Sequence, residues 1–102
     1  MFTVALLALA QAGPGEFEDR KFMLVGVGHS SCAKAFAPEN SAATLHWVSG
    51  FVTGLNAATG GNVPEHTDHP GMMGEVRLRC ERAPSQRLVT AATQAYRFLN
   101  KQ

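Results

Sequence analysis

Ser41-Ala42-Ala43-Thr44-Leu45-His46-Trp47-Val48-Ser49-Gly50-Phe51-Val52-Thr53-Gly54-Leu55-Asn56-Ala57-Ala58 is the stretch whose reading decides the fold. At about 100° per residue, Thr44, Val48, Phe51, Val52 and Leu55 fall on one face, with Trp47 on its flank. His46, Ser49 and Thr53 fall opposite. A long helix with one apolar stripe requires a core to cover it. Gly50 and Gly54 lie four apart on the Trp47 side. Each costs a helix about 1 kcal/mol relative to alanine. The pattern therefore predicts helix-contact glycines, with another backbone passing close to that strip.

Working outward, Thr59 to Glu65 is a loop by its Gly, Asn and Pro content, and His66 to Pro70 continues it. Asp68 offers an N-cap to a helix over about Pro70 to Arg82. There Met72, Met73, Val76 and Cys80 share one quadrant, so Cys80 faces inward. Ala83-Pro84 breaks the chain and Ser85 can cap a last helix to Asn100. Leu88, Ala91, Ala92, Ala95 and Leu99 follow a helical stripe, while Thr90, Gln94, Arg97 and Lys101 face water. Upstream, Ser30 or Ser31 can cap a short helix to Ala37, ended by Pro38. Phe22 to Gly28 is an apolar run with two glycines, read either as a strand or as an extended segment on the helices. The expected fold class is all-α: one domain over residues 22–102 with about four helices and a short extended N-terminal segment. Trp47, Val48, Phe51, Leu55, Leu88 and Leu99 are its expected core.

The chain has 102 residues, 45% of them apolar, and a net charge of +1. That is one domain's worth of sequence. It excludes a two-domain enzyme, a Rossmann-sized nucleotide binder and a polytopic membrane protein. No bulk basic field points to nucleic acid. The apolar content excludes a disordered tail.

Met1 to Ala12, M-F-T-V-A-L-L-A-L-A-Q-A, is uncharged and apolar and ends in Ala10-Gln11-Ala12, followed by Gly13-Pro14-Gly15. It reads as the tail of a secretory signal peptide, although no Lys or Arg precedes the apolar run. The other reading is an amphipathic or buried N-terminal helix. Twelve residues are too few to span a membrane, which takes roughly 20. Residues 13–21 are polar and read as a flexible arm. The expected location is the periplasm or outside the cell.

Composition leaves two cysteines open to three readings: a disulfide, half of a metal site, or two buried thiols. Export to an oxidising compartment favours the disulfide. Cys32 and Cys80 would then close a loop worth about 4 kcal/mol in the chain-entropy model.

No cofactor motif is present. Gly26-Val27-Gly28 lacks the third glycine and the βαβ unit of a dinucleotide fingerprint. His29, Ser30, Ser31 and Cys32 are adjacent on a turn, where neighbours seldom present a nucleophile and a base to one centre. The chain is read as a non-enzyme with no catalytic residue. His66, Asp68 and His69 are of metal-ligating type. They sit in a Gly/Pro loop, which makes them weak candidates, and a solvated loop is the favoured reading. From Glu75 onward the chain carries six basic and two acidic residues. Arg77, Arg79, Arg82 and Arg87 are therefore candidates for docking an acidic protein. The plainer alternative is a solvated face.

Gly28-His29-Ser30-Ser31-Cys32, then Trp47 to Asn56, then Cys80-Glu81-Arg82-Ala83-Pro84 before an Ala-rich helix, resemble the HdeA-like and Rap1a/Tai-type small exported bacterial proteins. The resemblance spans Val25 to Leu99. Ala33-Lys34-Ala35 stands where a Gly-Trp pattern often follows the first cysteine. Val76 and Leu78 stand where an aromatic often precedes the second. The resemblance implies a small helical exported domain with a disulfide. It also implies one of two jobs. Rap1a/Tai proteins bind and block a toxic effector of a secretion system. HdeA is a periplasmic acid-stress chaperone. The expected partner is thus another protein, effector or client, with a homodimer as a further option. For the chaperone, nine Lys and Arg with four protonated His would leave +13 in acid, and such self-repulsion opens small domains.

Overall fold

A computed structural model of the chain describes residues 24–100. The stretch read as a signal peptide, residues 13–21 read as an arm, the start of the apolar run at Phe22, and Lys101, expected to face water, lie outside the described residues. Four α-helices follow one another: α1 (Cys32–Ala35), α2 (Ser41–Thr59), α3 (His69–Arg82) and α4 (Leu88–Asn100). Short 310 turns occupy Gly26–His29 and Pro38–Asn40. Among the described residues there is no strand, so the all-α reading holds.

Helix α2 forms where its stripe predicts. Thr44, Val48 and Val52 are buried on it. It ends at Gly60, whose φ of 75° is left-handed and whose N–H returns to the Asn56 carbonyl. The Ser31 hydroxyl caps α1 by accepting from the Lys34 N–H at 3.2 Å. The helix is shorter than expected, because Ala37 is extended ahead of Pro38. Asp68 caps α3 as its sequence predicts, accepting from the Gly71 N–H at 2.9 Å.

Helix α4 starts three residues later than Ser85. Residues 84–88 pair instead with the segment before and into α1. Cys32 N–H donates to the Gln86 carbonyl at 2.7 Å, Ala33 N–H to Pro84 at 3.0 Å, and Leu88 N–H to Ser30 at 2.9 Å. These long-range backbone bonds, around the Ser31–Arg87 bridge, displace the first turn that Ser85 would have capped.

The disulfide joins Cys32 and Cys80 across 48 positions of chain, with the Cα atoms 5.1 Å apart. Both residues are buried. The bond ties α1 to the last turn of α3. Helices α3 and α4 pack tightly, and Ala91, Ala92 and Ala95, all buried, let them approach closely.

Of the expected core, Val48 and Leu88 are fully buried. Trp47, Leu55 and Leu99 are half-buried and pack against the main cluster from outside, and half-buried Phe51 packs with Trp47 on Val89. The interior holds smaller residues than predicted, plus Val63, Val89 and Tyr96. Thr90 also departs from expectation. It is buried rather than facing water.

Gly50 and Gly54 need the clearest correction. Among the described residues nothing lies within 4 Å of where their Cβ atoms would be. Among these residues no backbone approaches them there. The close approach falls at Gly28 instead, where a Cβ would intrude on the Trp47 ring. Trp47 lies across the 310 turn, and its Nε1–H donates to the Val25 carbonyl at 2.7 Å. This contact, with a φ of 84° at Gly26, explains why the end of the run, residues 26–28, lies in a 310 turn and not in a strand.

Candidate protein-binding surface

Helix α3 carries three of the four candidate arginines, Arg77, Arg79 and Arg82, and its phase divides them. Arg77 and Arg79 are two residues apart, hence on opposite flanks. The Arg77 guanidinium stacks 4.7 Å over the Phe36 ring. The Arg79 guanidinium stacks 5.0 Å over Phe98 and also pairs with Glu75 at 3.1 Å, one turn back on the same helix. Arg79 is therefore neutralised locally. Arg82 is exposed at the end of α3. Neither Arg77 nor Arg82 forms an ion pair among the described residues. Arg87 is half-buried in the bridge with Ser31. The structure thus does not form one four-arginine patch. It leaves Arg77 and Arg82 as cations on two neighbouring grooves.

The first groove has a volume of about 350 Å³ and runs beside the disulfide, with Ala33, Phe36 and Pro84 as apolar walls and Arg77 and Glu81 on its rim. The second, about 420 Å³, lies between Arg79, Arg82, Gln86 and Gln94. Its wall is fixed by side-chain amides. Gln86 and Gln94 exchange bonds at 3.3 and 3.4 Å, and Gln86 Nε2 donates to the Arg79 carbonyl at 3.2 Å. Phe98 is 43% exposed, so the Arg79–Phe98 stack offers apolar area next to charge. Stacked arginines are held in place, which lowers the entropy lost when a partner carboxylate binds them.

The histidine loop is differently organised from a metal centre. His66 pairs with Glu65 at 3.0 Å, Asp68 is occupied in capping α3, and His69 Nε2 lies 2.7 Å from the Ser49 hydroxyl of α2. These three weak candidates each serve a separate local contact. Among the described residues no group of three His, Cys, Asp or Glu is gathered to hold an ion.

One polar cluster has no counterpart in the expectations. The Asn56 carboxamide holds both backbone groups of Val63: Nδ2 donates to its carbonyl at 2.8 Å and Oδ1 accepts its N–H at 3.1 Å. The buried Tyr96 hydroxyl donates to the same Oδ1 at 2.9 Å and lies 3.3 Å from Thr59 Oγ1. The cluster docks the loop after α2 onto α2 and α4. A sequence signal existed, since Tyr96 shares the helical quadrant of Leu88, Ala92 and Leu99. A buried tyrosine hydroxyl needs a partner.

No described helix is long and apolar enough to cross a membrane. Compared with family models, with curated proteins and with solved structures, the chain matches none of them.

Proposed function

We propose that this chain is an exported helical module that binds another protein through the Arg77 and Arg82 side of α3, of the immunity-protein kind that its sequence resembles. The observation that carries the reading is the pair of arginines on the disulfide-anchored helix. Among the described residues neither pairs with a carboxylate, and both border open grooves, the one at Arg77 walled by Ala33, Phe36 and Pro84 and the one at Arg82 by the Gln86 and Gln94 amides. The disulfide supports the exported location, because such bonds persist in oxidising compartments. An acidic segment with an apolar or aromatic side chain matches this surface in both charge and shape.

The acid-stress chaperone reading is second. Its driving force would be the rise to +13 alone. None of the described histidines or carboxylates is buried, so acid has no buried carboxylate or histidine to protonate and thereby break the core.

The test uses the oxidised full chain immobilised in periplasmic extract of its own host, alongside Arg77→Glu/Arg82→Glu. The proposal expects the native chain to retain one defined polypeptide at low salt and the variant to lose it at least tenfold. Equal retention by both, or none by either, overturns it. Suppression of client aggregation at acid pH by both proteins alike would favour the chaperone.

A further inference from the structure

The Arg77–Phe36 stack divides two cavities, and both residues line each of them. Toward the C-terminal end of α3 lies the groove beside the disulfide, about 350 Å³, with Ala33 and Pro84 as apolar walls and Glu81 on its rim. One turn earlier on α3, at Met73, lies a second pocket of about 160 Å³. Phe36, Leu45 and Met73 give it apolar walls, and Ser41 and Thr44 join it from the first turn of α2. Thr44 is buried and donates its hydroxyl to the Ala35 carbonyl. The side-chain polar groups left for a ligand are therefore the Arg77 guanidinium and the Ser41 hydroxyl. An apolar cavity of about 150 Å³ holds one benzene ring. The pocket at Met73 thus has room for one aromatic or branched aliphatic side chain.

We propose that the Arg77 end of the surface takes the C-terminal residue of a partner chain. Its carboxylate lies on Arg77, its apolar side chain fills the pocket at Met73, and the residues before it follow the groove beside the disulfide. This rests on the α3-side reading above for its class of partner, and it specifies what that partner presents. Three observations carry it. The first is connectivity. In a C-terminal residue the carboxylate, the side chain and the preceding peptide diverge from one α-carbon. Here one guanidinium has an apolar pocket on one side and a groove on the other. A small free carboxylate would fill the pocket and leave the groove idle. The second is length. Met73 and Cys80 are seven residues apart, a rise of about 10 Å along α3, and three extended residues cover about 10 Å. The third is charge. Arg77 pairs with no carboxylate among the described residues, whereas Glu81 at the groove repels a second negative charge there. One negative charge at the end of an otherwise uncharged segment is the pattern of a peptide terminus, not of an acidic run. The Phe36 ring holds the guanidinium at 4.7 Å, and its planar fork suits a carboxylate bound through two parallel bonds.

Isothermal titration of the oxidised full chain with acetylated tripeptides tests it. The probes are Ala-Ala-Phe with a free carboxylate, the same peptide as its C-terminal amide, and Ala-Ala-Gly with a free carboxylate, with N-acetylphenylalanine as the small carboxylate. The free acid of Ala-Ala-Phe should bind about tenfold more tightly than each of the other three. Arg77→Gln should bring its binding down to the level of the amide, with the Tm of the domain moved by no more than a few degrees. The Met73 methyl resonance should shift with the phenylalanine acid and not with the glycine peptide. Equal binding of acid and amide overturns the proposal. So does glycine as tight as phenylalanine, N-acetylphenylalanine as tight as the tripeptide, no binding of any probe, or binding unchanged in Arg77→Gln. The peptide comparisons use the native chain and decide the matter even where the variant is unstable. A partner retained from extract and lost in Arg77→Glu/Arg82→Glu, with no tripeptide bound, removes the terminus and leaves the α3-side reading standing. Tripeptide binding as expected with no partner retained supports the terminus site and overturns the wider reading.

Discussion

At Cys32 and Cys80 a covalent bond joins α1 to α3, whereas at Asn56 and Tyr96 a set of hydrogen bonds joins the α2 loop to α4. The two regions solve one problem, fixing an irregular segment to a helix, by different means. The disulfide acts by restricting the unfolded chain, so its effect extends to the whole molecule. The Asn56 cluster acts by satisfying buried polar groups, so its effect is confined to the groups it touches. A small domain of this size has only about 5–15 kcal/mol of net stability. Either device is therefore a large share of it, and their removal should look different.

Four changes, in descending order of effect, should break or sharpen the contrast. Removal of the disulfide as Cys32→Ala/Cys80→Ala should cost about 4 kcal/mol in denaturant unfolding. It should lower the whole transition and leave no region selectively protected. The oxidised native chain should weigh 2 Da less than the reduced one. Next, Asn56→Ala strips three bonds and leaves Val63 N–H and the Tyr96 hydroxyl without their partner. A cost of about 2–3 kcal/mol is expected, with hydrogen exchange rising first at the 60–68 loop. Tyr96→Phe, which removes one of those bonds, should cost about 1 kcal/mol by the same assay. Third, Gly28→Ala should cost about 1–2 kcal/mol, because its Cβ displaces the Trp47 ring. The single tryptophan reports this directly, through a shifted emission maximum. The smallest effect is a gain. Gly74 of α3 is exposed and a Cβ there meets nothing within 4 Å among the described residues, so Gly74→Ala should stabilise the stapled half by about 0.5–1 kcal/mol.

The contrast also explains what could be read from the sequence. Periodicity fixed α2 and the inward phase of Cys80, because both rest on side chains spaced along one helix. Asp68 and Ser31 were legible as caps because capping is local chemistry. The late start of α4 was not legible. Ser85 carries a good cap signal, but Ser30, Cys32 and Ala33 claim the backbone of residues 84–88, and that competition involves chain more than 50 positions away. The glycines show the same limit. Gly50 and Gly54 invited a close contact by their spacing, yet the ring of Trp47 presses on Gly28, some 20 residues earlier. Of the four candidate arginines, sequence supplied the charge. It could not supply the Glu75 and Phe98 contacts that neutralise and pin Arg79, which left Arg77 and Arg82 as the informative pair. The His66, Asp68 and His69 group looked related only because its members are close in sequence.

Native-state hydrogen exchange on three oxidised or cysteine-free forms compares the two devices most directly: the native chain, Asn56→Ala, and Cys32→Ala/Cys80→Ala. The account predicts that Asn56→Ala lowers protection chiefly in residues 60–68 and at Tyr96, by about 2–3 kcal/mol. The cysteine pair variant should lower protection by about 4 kcal/mol in all four helices alike. A disulfide loss felt only in α1 and the end of α3, or an Asn56 loss spread evenly through the molecule, would contradict it.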